Sequence, residues 1–121
     1  MAGTILVVED EAHLAGLLSD ILHASGYEVV LATPSQAAQT ALQVTPAAIV
    51  MDYIMPGLNG GEVAEQIRAA YHAQAPPVIL ITGLPNAREL AEQTGAHGYL
   101  RKPFDVDRFV QMIDDLASTS A

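Results

Sequence analysis

The sequence predicts an α/β domain of the (βα)5 type, a doubly wound, five-stranded parallel sheet with helices on both faces. Three observations carry that prediction. Five short apolar segments alternate with helix-like stretches along the 121 residues. The best of those segments are unbroken apolar runs, as expected of strands covered on both faces. Helix lengths and turn residues between them suit crossover connections.

Thr4-Ile5-Leu6-Val7-Val8 opens the chain as a β-branched strand. Glu11 to Ser25 follows with Leu14, Leu17, Leu18, Ile21 and Leu22 at amphipathic helix spacing, and Gly26 stops it. Tyr27 to Leu31 is the second strand, and Thr33-Pro34-Ser35 opens an Ala- and Gln-rich helix to about Val44, ended by Pro46. Ala47 to Met51 is the third strand, terminating at Asp52. Asn59-Gly60-Gly61-Glu62 starts a helix with Val63 and Ile67 facing inward to about Tyr71, and His72 to Pro77 is a linker. Val78 to Ile81 is the fourth strand, ending at Thr82. A short, poorly amphipathic helix spans Asn86 to Thr94. Gly98-Tyr99-Leu100 is a brief fifth strand ending near Lys102-Pro103. Asp105 then caps a last helix with the stripe Val106, Phe109, Val110, Ile113 and Leu116. Residues 117–121 read as a frayed end or the start of a linker.

Residues 1–121 suit one domain, and a 50% hydrophobic composition is enough for a packed core. No apolar run approaches the roughly 20 residues of a membrane span, so no membrane insertion is expected. The absence of cysteine excludes a disulfide framework and fits a cytoplasmic protein. Fourteen acids against five Lys plus Arg give a formal charge of −9, which repels phosphodiester backbones and argues against direct nucleic-acid binding.

In open parallel sheets, ligands bind outside the carboxyl ends of the strands. There this sequence places Glu9-Asp10 with Glu11 beyond, then Asp52, Thr82 and its only lysine, Lys102. Each has an ordinary reading taken singly. Acids after the first strand can cap the next helix, and a lone lysine is usually solvated. Asp52 resists that reading because Tyr53 to Leu58 intervene before any helix. Clustered carboxylates repel one another unless a cation intervenes, and an all-oxygen site with room for water suits Mg²⁺. A carboxylate beside such a metal and an ammonium can attack phosphorus to form an aspartyl phosphate.

Together the motifs Glu9-Asp10, MDYIMPGLNG around Asp52, ILITG ending in Thr82-Gly83, and GYLRKPF with Tyr99, Lys102 and Pro103 resemble the receiver (CheY-like) domain of a two-component response regulator. The resemblance runs the whole length in register. It implies the flavodoxin-like strand order 2-1-3-4-5 and a phosphorelay role in which a histidine kinase or phosphotransfer protein supplies a phosphoryl group to Asp52. It also implies direct Mg²⁺ ligation by Asp10, Asp52 and the Ile54 carbonyl, with Glu9 acting mostly through water. Lys102 would hold a phosphoryl oxygen ahead of a cis Lys102-Pro103 bond, and Gly83 would leave room for the group. Thr82 and Tyr99 would switch the face formed by the fourth helix, fifth strand and fifth helix, a possible homodimer surface. Such a chain would modify itself and turn over no separate substrate. The opening run is similar to that of receivers attached to hybrid histidine kinases, so the chain is either stand-alone or a domain of a longer protein.

Departures from the family pattern are Glu9 in place of a more usual Asp, and apolar Ile54 and Leu84, expected to shield a phosphoaspartate from water. Other readings are weaker. Gly57 to Gly61 lacks the following Lys-Ser/Thr of a phosphate-binding loop. Glu9-Asp10-Glu11 would repel the phosphate of a flavin nucleotide, and a dehalogenase-type phosphatase needs an Asp where Ile54 stands. His13, His23, His72 and His97 share no metal-ligand spacing and read as surface residues; Met51 and Met55 read as core fillers. The alternative from another class is a phosphorylation-independent interaction module on the same fold.

Overall fold

A computed structural model describes residues 3–71 and 74–119. Its first half contains β1 (Thr4–Val8), α1 (Ala12–Ala24), β2 (Glu28–Ala32), α2 (Ala37–Val44) entered through a 3-10 turn at Pro34–Gln36, and β3 (Ala48–Asp52). The second half contains α3 (Gly60–Ala70), β4 (Val78–Thr82), α4 (Ala87–Thr94), β5 (Gly98–Arg101) and α5 (Val106–Thr119). The strands form one parallel sheet in the order β2-β1-β3-β4-β5. His72 lies outside the described residues.

Strand alternation divides the interior in two. Leu6, Val8, Ile49, Met51 and Leu80 meet Ala41, Val63, Ile67, Leu90 and Ala91 of α2, α3 and α4. Ile5, Val7, Val50, Ile79 and Ile81 meet Leu18, Leu22, Phe109 and Ile113 of α1 and α5. Every residue of β3 and β4 is buried, which explains their unbroken apolar sequences. Met51 and Met55 join the first of these cores as expected.

Helix surfaces needed correction. Leu17 and Val106, read as core, are 53% and 46% exposed, because each lies at the margin of its stripe. Conversely, α4 has a definite inner face of Ala87, Leu90, Ala91 and Thr94 at helical spacing; small and hydroxylated residues concealed it. The final helix continues past Leu116 to Thr119, and the Ser118 hydroxyl donates to the Asp114 carbonyl at 2.6 Å; residues 120 and 121, the rest of the segment read as a frayed end or linker start, lie outside the described residues. Asp105 does cap this helix, accepting the Asp107 N–H at 2.9 Å.

One long-range polar contact fastens α5 to the residue that precedes β2. The buried Tyr27 hydroxyl donates to Asp114 Oδ1 at 2.5 Å. Burial first, and then the Asp114 carboxylate that takes its proton in a hydrogen bond, push the Tyr27 phenol up to about 12. A phenol that ionises later in the folded than in the unfolded chain contributes stability in full below about pH 10, lost as pH rises through 12. Tyr27→Phe is expected to cost about 1.5 kcal/mol at neutral pH. It should also flatten the fall of stability between pH 10 and 12, measured by urea unfolding beside the wild type.

Candidate functional site

The strand order places the carboxyl ends of β1, β3 and β4 side by side, with the turn after β5 next to them. Asp52 is the last residue of β3 and is 8% exposed. Its Oδ2 accepts from Lys102 Nζ at 2.6 Å, and its Oδ1 accepts from the Ile54 N–H at 3.2 Å. The Lys102 backbone N–H donates to the Thr82 carbonyl at 2.8 Å, so β4 holds the lysine's backbone while β3 holds its charge. The Lys102-Pro103 bond is cis.

Glu9, at the end of β1, is 8% exposed. Its Oε2 accepts the Glu11 N–H at 3.0 Å, whereas its buried Oε1 has no hydrogen-bond partner among the described residues. Burial raises the Glu9 carboxyl above the usual range against the lowering effect of the Glu11 N–H; Asp52 raises it further, Lys102 lowers it and Asp10 raises it. Asp10, Asp52 and Lys102 therefore all act on the Glu9 carboxyl. Asp10 is exposed to solvent. The capping reading holds for the third acid alone: Glu11 accepts from His13 N at 3.2 Å and Leu14 N at 2.7 Å at the start of α1.

Oxygen donors, a desolvated carboxylate oxygen without a partner, and a solvent-facing Asp10 fit a hard, partly hydrated divalent cation. Among the described residues no three His, Asp or Glu side chains converge as a ready cage.

Thr82 is fully buried, and its Oγ1 accepts the Leu84 N–H at 3.2 Å. A Cβ added at Gly83 would meet nothing within 4 Å, so the approach beside Thr82 is open. Ile54 is 60% exposed, while Leu84 packs partly against the core. Tyr99 is turned outward, 37% exposed, on a groove of about 570 Å³ whose lining includes Arg88, Arg101, Arg108 and Met112. His13, His23 and His97 are surface residues as read.

The sequence did not disclose Gly60. Asn59 and Glu62 form a reciprocal capping box, each side chain accepting the other's N–H at 2.9 Å, which fixes the start of α3. The next residue, Gly60, donates its N–H to the Tyr53 carbonyl at 2.7 Å. A Cβ there would lie 3.0 Å from the Asp52 carbonyl, from Tyr53 Cα and from Leu80 Cδ1. The only signal was a glycine at the first helical position after an Asn cap. Gly60→Ala is expected to push α3 from the β3 turn, costing about 1–3 kcal/mol. Chemical denaturation reads the loss, and displaced Tyr53 and Ile54 amide resonances locate it.

The family described as "Response regulator receiver domain" matches residues 5–114. The transcriptional regulatory protein FixJ of Bradyrhizobium diazoefficiens is 36% identical over 117 residues, covering 93% of this chain and 55% of that protein. The DNA-binding dual master transcriptional regulator RpaA of Synechocystis is 30% identical over 112 residues, covering 90% and 46%. The chain thus spans about half the length of these curated relatives. Among solved structures it is similar to the receiver domain of a sensor histidine kinase from Pseudomonas aeruginosa PAO1, which has a magnesium ion coordinated in its active site cleft. That likeness has a TM-score of 0.86 at 30% identity and covers 98% of this chain and 99% of that one.

Proposed function

Because this chain belongs to the response regulator receiver domain family of two-component signalling, we propose that Asp52 is its phosphoacceptor, supplied by the phosphohistidine of a histidine kinase or phosphotransfer protein. The observation that carries this reading is the 2.6 Å ion pair between Lys102 and Asp52, set beside the partnerless oxygen of Glu9. A carboxylate oxygen of Asp52 attacks phosphorus; the new O–P bond forms as the P–N bond breaks, its electron pair leaving with the imidazole. Lys102 Nζ then exchanges part of its contact with Asp52 for an arriving phosphoryl oxygen, a charge-assisted hydrogen bond. The Ile54 N–H holds the other Asp52 oxygen and orients the carboxylate. Asp10, Asp52 and the Ile54 carbonyl would hold Mg²⁺, with Glu9 taking its water. When bound, the ion neutralises charge on the phosphoryl oxygens. The chain modifies itself and turns over no separate substrate.

The Thr82 hydroxyl follows the new oxygens, and Tyr99 turns in behind it, altering the face of α4, β5 and α5. That face is also where a homodimer would form. Arg88, Arg101 and Arg108, three of the five Lys and Arg residues, line its groove. A formal charge of −9 disfavours a phosphodiester partner, so no nucleic-acid contact is proposed for this chain. Among the described residues no helix is long and apolar enough to cross a membrane, and the proposed location is the cytoplasm.

Asp52→Asn is expected to abolish phosphoryl incorporation, read by intact mass, with the circular dichroism spectrum unchanged; incorporation at the wild-type rate would refute the assignment. Lys102→Ala should retain slow incorporation while beryllofluoride with Mg²⁺ no longer moves the amide resonances around Tyr99. The apolar flanks Ile54 and Leu84 are proposed to shield the phosphoaspartate. Replacing them with Asn and Glu should speed phosphoryl loss about tenfold, a change of roughly 1.4 kcal/mol in barrier, read as the decay of the phosphorylated mass.

A further inference from the structure

Helix α4 is held very differently at its two ends. At its carboxyl end, Arg68 of α3 donates from Nη1 to the Thr94 carbonyl at 2.8 Å. Gly95 there adopts φ +73°, and a Cβ on it would stand 3.2 Å from Arg68 Nη1, so glycine both permits the left-handed turn and admits the guanidinium. Gly95 N–H reaches the Glu92 carbonyl at 3.3 Å and Ala96 N–H the Ala91 carbonyl at 3.0 Å, a Schellman-type closure. Thr94 is buried, gives its hydroxyl to the Ala91 carbonyl at 3.1 Å, and turns its methyl toward Gly61, where an added Cβ would lie 3.1 Å away. The last turn is thereby fastened to α3 from two directions.

The amino end has no such hydrogen-bonded fastening among the described residues. The Asn86 side chain makes no capping bond, and its φ of −100° and ψ of 37° are not those of a regular helix start. Ala87 and Leu90 of the first turn are buried, but this is apolar packing, which lacks the directionality of the hydrogen bonds at the other end. The loop leading in is tethered by the Leu84 N–H, whose acceptor is the Thr82 hydroxyl. That hydroxyl is the group proposed to move toward a phosphoryl oxygen. When it moves, the amino end loses its tether while the carboxyl end keeps both of its attachments.

We propose that Arg68 is a positioning residue for the switch: it makes the carboxyl end of α4 a fixed pivot, so that a change at Thr82 becomes a tilt of the helix's first turn. The inference rests on Asp52 being the phosphoacceptor. A guanidinium–carbonyl bond is directional and charge-assisted, and its removal loosens the last turn without emptying any core position. An α4 free at both ends would fray in place of tilting, and the outward face of Tyr99 and Arg88 would lose its two defined arrangements.

Amide hydrogen exchange on the full chain tests the pivot, with and without Mg²⁺-beryllofluoride. In the wild type, Gly95 and Ala96 should exchange more slowly than Ala87 and Arg88, and beryllofluoride should alter exchange over 83–90 while leaving 91–96 unchanged. Arg68→Met, which keeps an apolar stem, should speed exchange at Gly95 and Ala96 about tenfold with α3 and β4 unchanged, and should spread the beryllofluoride response over all of α4. Arg68→Lys, retaining a donor, should recover part of the protection. The pivot is overturned if Arg68→Met leaves Gly95 and Ala96 within threefold of wild type, or if beryllofluoride changes both ends of α4 equally in the wild type. Should beryllofluoride leave the Asp52 to Ile54 amides unmoved, the phosphoacceptor reading fails separately, while the exchange comparison without beryllofluoride still judges the attachment.

Discussion

The ion pair between Lys102 and Asp52 is the interaction on which the arrangement of this molecule turns. Asp52 sits in a wall of apolar residues at the end of a strand buried on both faces, where an uncompensated carboxylate would be strongly unfavourable. Lys102 supplies the compensation from the turn after β5, two strands away, with β4 between them. The pair exists only if both strand pairings hold register. Asp52 aligns with Ile81, and the next residue of β4, Thr82, aligns with Arg101. The Lys102 N–H to the Thr82 carbonyl extends that ladder by one residue. A slip of one position in either pairing would turn the side chains to the opposite face and leave the acid alone.

A paired charge is not a saturated one. Lys102 satisfies a single Asp52 oxygen, and Glu9 keeps one buried oxygen with no partner among the described residues. Leaving a buried acceptor unmet costs about 1–3 kcal/mol, which well-packed proteins usually avoid away from functional sites. Burial is the first cause that raises the Glu9 carboxyl, and Asp52 and Asp10 add to it against the lowering effects of the Glu11 N–H and Lys102. Thus the strand ends combine a carboxylate held at both oxygens with one that keeps a buried oxygen unpartnered among the described residues, an asymmetry suited to receiving a cation.

Legibility in the sequence followed the range of the interactions. Strand ends were readable because β1, β3 and β4 are unbroken apolar runs, so the first polar residue after each marks the sheet's edge. The architecture then placed Glu9, Asp10, Asp52, Thr82 and Lys102 at one end. Helix faces were less readable: Leu17 and Val106 fit a periodic stripe but sit at its margin, and the inner face of α4 is built largely from alanine and threonine. Least readable were contacts between distant residues, such as Tyr27 with Asp114 and Arg68 with Thr94, since neither member carries a local signature. Gly60 belongs with these. Its lack of a side chain matters because the backbone of Asp52 and Tyr53 lies against it, which no spacing rule encodes.

The double employment of Thr82 limits how strongly the proposed switch can act. In the structure its hydroxyl oxygen accepts one neutral N–H, from Leu84. A bond of that kind contributes about 0.5–1.5 kcal/mol net, whereas one to a charged group contributes about 1.5–3. Exchanging the first for the second therefore favours the turned hydroxyl by about 1–2 kcal/mol, a population ratio on the order of 5 to 30. Such a bias shifts an equilibrium without locking it, so the unphosphorylated chain would visit the second arrangement and the phosphorylated chain would still leave it. A small bias can act on a surface only if little else resists. The first turn of α4, held by apolar packing without a side-chain cap, meets that requirement, and the hydrogen-bonded last turn keeps the response from dissipating into disorder.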